Sequence, residues 1–191
     1  MPDQRTSVEL TDPRALRAYA HPVRNKLVGM LRRHGALTAT QAGQLLGESS
    51  GTTSFHLRQL AKYGLVEHAA GGKGREKPWQ ATSLLTSVPD FAPNAEVADA
   101  ARGLKLALAS DYLRKLTGYL NRSDQESEQW QRATIFGDRI LFVSPEELAA
   151  LGKALDELLE PYARRLGNVE ERPPGTRDVT FIGLAFPTEQ E

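Results

Sequence analysis

A mainly helical α+β fold is predicted: short helices and a β-hairpin in the front half, then a long helix and a small strand-strand-helix-strand unit. Three observations carry it. Residues 49–62 read as a helix with a small polar front end and an apolar back seam, joined to a short helix before it by the tight link Gly47-Glu48-Ser49. Residues 71–77 gather three glycines and three cations between two strand-like runs. Apolar residues then keep three-and-four spacing over residues 95–120, about 39 Å of helix.

Composition narrows the class. The 191 residues, 40% hydrophobic, suffice for one large or two small cores. No run of about 18 apolar residues is present, so no membrane span is expected. The first six residues lack the apolar core of a signal peptide and cysteine is absent, so a cytoplasmic location is expected. Without cysteine there is no thiolate metal site, and His21, His34, His56 and His68 have no metal-ligand spacing, so neither metal nor cofactor is expected. The net charge of zero hides a division: residues 1–82 hold 12 Lys/Arg against 6 Asp/Glu, and residues 83–191 hold 12 against 18. A front half at +6 and a back half at −6 suit a basic nucleic-acid module joined to an acidic one.

The front half is punctuated clearly. Thr11 or Asp12 caps a helix with Pro13 at its first position and Leu16 and Tyr19 on its seam. Pro22 disfavours helical backbone at His21 yet suits the first turn of a second helix over 23–33, with Leu27, Met30 and Leu31 inward, which Gly35 stops. Thr38 or Thr40 restarts the chain into a short helix, 41–46, that Gly47 ends. Ser49 caps the next one. Such a pair crosses as a helix-turn-helix. Tyr63-Gly64-Leu65-Val66 leads into a strand over 65–68, and a second strand follows over 79–82 with Trp79 at its base. The glycine-rich loop between them lacks the strand-loop-helix setting and the Gly-Lys-Ser/Thr of a P-loop, so it reads as a cationic wing.

The helix 50–62 has the profile of one that enters a DNA major groove. With Leu57 at the centre of its packed face, Thr53, Leu60 and Gly64 fall beside it, and Gly51, Phe55, Arg58 and Lys62 fall on the other side. Ser50, Gly51, Thr52 and Ser54 offer hydroxyls and exposed amides to bases or phosphates, or serve only as capping and spacing residues. Two roles are open to Phe55: contact with a thymine methyl, or packing back onto the preceding helix. Arg58 and Lys62 suit phosphate contacts, as do Lys73, Arg75 and Lys77 of the wing, with Arg75 a candidate for the minor groove. Arg24 and Lys26 are weaker candidates for backbone contacts, and His21 and His56 read as structural, hydrogen-bonded histidines.

Four blocks in order resemble the winged helix-turn-helix of ArsR-type bacterial transcriptional regulators: residues 16–24 (LRAYAHPVR), 45–47 (LLG), 54–60 (SFHLRQL) and 63–66 (YGLV). The resemblance covers residues 12–82 and implies a dimeric, repressor-like DNA binder. It also implies that the helix after the wing forms much of the dimer interface. This chain departs from the family's metal sensors, having no cysteine and all four histidines in the front half.

The back half opens with residues 83–94, which hold Pro89 and Pro93 and read as a linker. In the long helix 95–120, the stripe containing Val97, Leu104, Leu108, Tyr112 and Leu116 is the expected dimerisation face, with burial within its own domain as the alternative. Residues 130–136 and 139–143 alternate as a hairpin about Gly137-Asp138. Ser144-Pro145-Glu146-Glu147 starts a helix to about residue 165, with Leu148, Leu151, Leu155, Leu158, Leu159 and Tyr162 inward, and residues 179–186 form a last strand. Aromatics in this unit line either an effector pocket or an ordinary core.

The expected organisation is an arm (1–11), a winged helix-turn-helix (12–82), a linker (83–94) and a C-terminal dimerisation and effector-candidate domain (95–191). The expected partners are double-stranded DNA, a second copy and an unidentified small-molecule effector, with no membrane. No nucleophile-base pair or Gly-x-Ser-x-Gly elbow is present, so no enzymatic activity is expected. The competing expectation is a winged-helix protein-interaction module that does not bind DNA.

Overall fold

A computed structural model of the chain describes residues 5–70, 77–88 and 91–188. Its helices start and stop where the capping chemistry requires. The Asp12 carboxylate accepts from the Arg14 amide at 2.7 Å and opens helix α1, Pro13–Tyr19. Pro22 occupies the first turn of α2, Pro22–His34, which ends at Gly35. Thr38 and Gln41 form a reciprocal capping box at the start of α3, Ala39–Leu46. Gly47 then takes a left-handed conformation, φ 73°, which any Cβ would strain, and Ser49 caps α4, Ser50–Lys62.

The core sits where α1, α2 and α4 converge. Leu16, Leu27, Val28, Leu57 and Leu60 are fully buried there. Two small sheets flank it. Strands β2, Val66–His68, and β3, Trp79–Ala81, pair antiparallel with His68 opposite Trp79. Trp79 also exchanges backbone hydrogen bonds with Leu37, at 2.7 and 2.9 Å, so the hairpin base is tied to the start of α3. A second ladder, absent from the sequence expectation, pairs β1, Arg5–Glu9, in parallel with β4, Ser83–Ser87. It joins residues read as an arm to residues read as a linker. Arg32 locks β4 to α2, donating from Nε to the Ser83 carbonyl at 2.9 Å and from Nη2 to Thr86 Oγ1 at 2.6 Å.

Beyond the second ladder, Asn94 caps α5, Ala95–Leu120, through the Val97 amide at 3.0 Å. The first half of α5 packs on α1, so Val97 and Leu104 belong to the chain's own core, at 5% and 0% exposure. Leu108 lies against that core, Tyr112 and Leu116 are half-buried, and Leu106, Leu113 and Leu120 are exposed.

The C-terminal unit keeps the mainly helical α+β class but departs from the predicted strands. Residues 128–133 form a helix, α6 (Glu128–Ala133), because good helix formers and an Arg132–Glu128 ion pair at 2.6 Å outweigh the alternation. Residues 134–143 and 177–188 carry neither helix nor ladder. Helix α7, Pro145–Gly167, begins with the expected capping box of Ser144 and Glu147 and lies against α2 and β4. Its leucine seam is not packed as predicted, since Leu151, Leu158 and Tyr162 remain exposed. No described helix is long and apolar enough to cross a membrane.

Candidate nucleic-acid interface

The interface is built on α4. Ser49 Oγ accepts from the Thr52 amide at 3.1 Å, which sets the first turn and contributes about 1 kcal/mol. Thr53, His56, Leu57 and Leu60 turn inward, so the opposite side must face solvent. There Ser50, Gly51, Thr52, Phe55, Arg58 and Lys62 are exposed and Ser54 is half-buried. Thr53, Leu57 and Leu60 thus lie on the packed face as expected, whereas Gly64, expected beside them, is exposed.

An open cleft runs between α4 and the β2–β3 hairpin. Ser50, Gly51, Ser54 and Arg58 line it from the helix, and His68, Lys77 and Trp79 from the hairpin. Arg58 Nε donates to the Ser54 carbonyl at 3.1 Å, which holds the guanidinium along the helix and leaves its terminal nitrogens without a partner among the described residues. Lys77 is exposed at the root of the hairpin loop, whereas Lys73 and Arg75 lie outside the described residues. The cleft thus has cations on both walls and hydroxyls on the helix side, a donor set suited to phosphate oxygens.

Three predicted contact residues stand apart from the cleft. Thr52 is exposed, but its hydroxyl is 2.9 Å from Ser49 Oγ, so a base contact would compete with the cap. Phe55 is 53% exposed and meets the His56 ring edge-on, with centroids 5.4 Å apart. Lys62 is two turns beyond Ser54, about 12 Å along the helix, with Nζ 5.6 Å from the centre of the Tyr63 ring.

Four cleft residues were absent from the sequence-based set: Ala39 and Thr40 of α3, and His68 and Trp79 of the hairpin. The rings of His68 and Trp79 stack with centroids 3.7 Å apart. This pairing follows from strand register, which the sequence does not specify locally.

Behind the outward face of α4, the His21 and His56 rings lie against each other tilted at 41°, with centroids 4.8 Å apart. The expectation of hydrogen-bonded histidines is not met at His21 Nδ1 or His56 Nδ1, which are enclosed with no partner among the described residues, as is Arg24 Nε. Burial first, and the Arg24 charge second, hold both imidazoles below their ordinary pKa. The unfolded chain therefore takes up these protons first, at about pH 6.5. Stability contributed by the neutral pair is present above that pH and declines as the pH falls through it. Replacing both residues by glutamine is expected to flatten the fall in thermal midpoint between pH 7.5 and 5.5. Identical pH profiles for the two proteins would count against this coupling.

Among the described residues, no group of three or more His, Asp or Glu is arranged to hold a metal ion. Residues 19–69 match the family model of a helix-turn-helix domain, the segment from the end of α1 to the first residue after β2. This places a helix-turn-helix of the kind used by DNA-binding regulators in the front half of the chain. No curated protein shows a significant match. Among solved structures, RV1404 from Mycobacterium tuberculosis is 14% identical, with 78% of this chain and 82% of that chain covered and a TM-score of 0.32. That likeness is too low to carry an argument.

Proposed function

We propose that this chain is a sequence-specific, homodimeric transcriptional regulator of ArsR-like type, repressor-like and bacterial, working in the cytoplasm. Helix α4 reads the major groove, and the hairpin over residues 69–78 contacts the backbone or minor groove. The observation that carries this reading is the exposed outer face of α4, which shares a cleft with the hairpin lined by Ser50, Gly51, Ser54, Arg58 and Lys77. The +6 balance of residues 1–82 supports it, because neutralising phosphates supplies most of the sequence-independent affinity. Two copies would set two α4 helices about one helical turn of DNA apart, near 34 Å. The half-buried and exposed outer part of α5, with Leu108, Tyr112 and Leu116, would contribute to the dimer. An unidentified small-molecule effector acting through residues 95–191 belongs to the same reading.

The test is a titration of the full-length protein on DNA upstream of its own gene across a salt series. Arg58→Ala is expected to weaken binding to all sequences and to reduce the log-log salt slope by about one. Phe55→Ala is expected to change which sequence is preferred, by about 1 kcal/mol or more at one base pair. An unchanged slope for Arg58→Ala would remove that residue from the phosphate contacts. A complete lack of binding at low salt, where nonspecific association is strongest, would favour a protein-interaction module instead.

A further inference from the structure

The C-terminal half has the side chains of a core but no core. Among the described residues after Leu104, none is buried. Yet α7 carries leucines at 148, 151, 155, 158 and 159, and residues 134–143 and 178–186, which form neither helix nor ladder, are rich in β-branched and aromatic residues. Ordering a residue costs about 1–2 kcal/mol of backbone entropy, and without apolar burial nothing offsets it. A surface that completes this core has to come from elsewhere.

The two segments differ in how they are held. Residues 134–143 leave α6 at Thr134, whose hydroxyl donates to the Trp130 carbonyl at 2.9 Å, and return at Ser144, the cap of α7. Between those points Ile135, Phe136, Ile140 and Phe142 are 76–98% exposed, and no backbone hydrogen bond forms among the described residues. Residues 178–186 are anchored at one end. Arg177 donates to both carboxylate oxygens of Glu126, at 2.7 and 3.1 Å, and Asp178 pairs with Arg33 at 3.3 Å. This second segment passes α7, where an added Cβ at Gly183 would stand 3.6 Å from the Leu155 side chain, and its backbone is also unpaired among the described residues.

We propose that a second copy of this chain completes the unit by exchange of arms: residues 134–143 of each copy add as a β-strand to residues 178–186 of the other, over the leucine face of α7. The occupant is argued from length, chemistry and area. The segments are nine and ten residues long, so each supplies the edge the other lacks. Ten large apolar residues on them, 44–98% exposed, leave on the order of 1,500 Å² open per chain, against the ~800 Å² each partner contributes to a standard interface. Reciprocal exchange also forms a closed twofold assembly, since both copies use the same two segments. This proposal rests on the homodimer of the functional reading and adds where the copies join.

Because the chain has no cysteine, engineered thiols report without background. Leu184→Cys is combined in turn with Phe136→Cys, Ile140→Cys and Phe142→Cys in the full-length protein, which is oxidised mildly and run without reductant, beside sedimentation of the uncrosslinked protein. The expected result is a covalent dimer for at least one pair. Phe136→Asp combined with Phe142→Asp is expected to raise the dimer dissociation constant at least 100-fold while far-UV helicity persists. A sedimenting dimer whose thiols join only within one chain, or not at all, would overturn the exchange and leave the homodimer standing. A monomer at tens of micromolar would overturn both.

Discussion

Leu57→Ala is expected to lower the unfolding free energy by roughly 2–5 kcal/mol, measured by denaturant titration. Leu57 has no exposed surface and lies in the core with Leu16, Leu27, Leu31 and Leu60. Truncation removes its transfer free energy and leaves a void that helices on three sides cannot all close. The result also sets the orientation of α4, because Phe55, two residues earlier, is 53% exposed. Phe55→Ala is expected to cost within about 0.5 kcal/mol, as surface substitutions usually do. Equal costs at the two positions would mean that the packed and outward faces of α4 are wrongly assigned, and the DNA reading would go with them.

Gly43→Ala is expected to destabilise the helix-turn-helix by about 1–3 kcal/mol and to lower DNA affinity at least tenfold under conditions where the protein stays folded. A Cβ at Gly43 would stand 2.8 Å from the Glu48 carbonyl oxygen and 3.0 Å from Thr53 Oγ1. Neither neighbour can swing aside. The first is backbone whose own amide donates to the Gly43 carbonyl at 2.9 Å, and the second is fully buried and donates to the Ser49 carbonyl at 2.9 Å. The methyl must therefore part α3 from α4, and the tilt of α4 changes with it. Gly103→Ala in α5 is the matched control, since nothing lies within 4 Å of the place its methyl would take and alanine is the better helix former there by about 1 kcal/mol. Thermal midpoints of the two variants should move in opposite directions, and only the DNA titration of Gly43→Ala should shift. A Gly43→Ala protein as stable as the parent would show that the close approach is not a constraint.

Legibility followed the range of the forces. Helix limits in the front half were readable because caps act within four residues: Asp12 with Arg14, Thr38 with Gln41, Ser49 with Thr52 and, further on, Ser144 with Glu147. The β1–β4 ladder was not, since it joins residues more than 70 positions apart and neither strand carries a regular alternation. His68 and Trp79 were missed as cleft residues for the same reason, because their stacking exists only once the hairpin register is set. In α5 the apolar period was readable, but it left two destinations open, a partner helix and the chain's own core. Periodicity identifies the face that packs, and only the position of α1 assigns Val97 and Leu104 to the chain's own core.

By itself the sequence determined the order of the helices in the front half, the short link between α3 and α4, the inward and outward faces of α4, and the capping of α7. These depend on local backbone preference and on helical period, which a few neighbouring residues decide. Only the tertiary structure decided that residues 83–87 form a strand with the N-terminal segment, that Arg58 and Lys77 face one cleft, and that residues 134–143 and 178–186 have no strand partner among the described residues of their own chain. Each of these depends on which distant surfaces meet, and a hydrophobic pattern requires burial without specifying the surface that provides it.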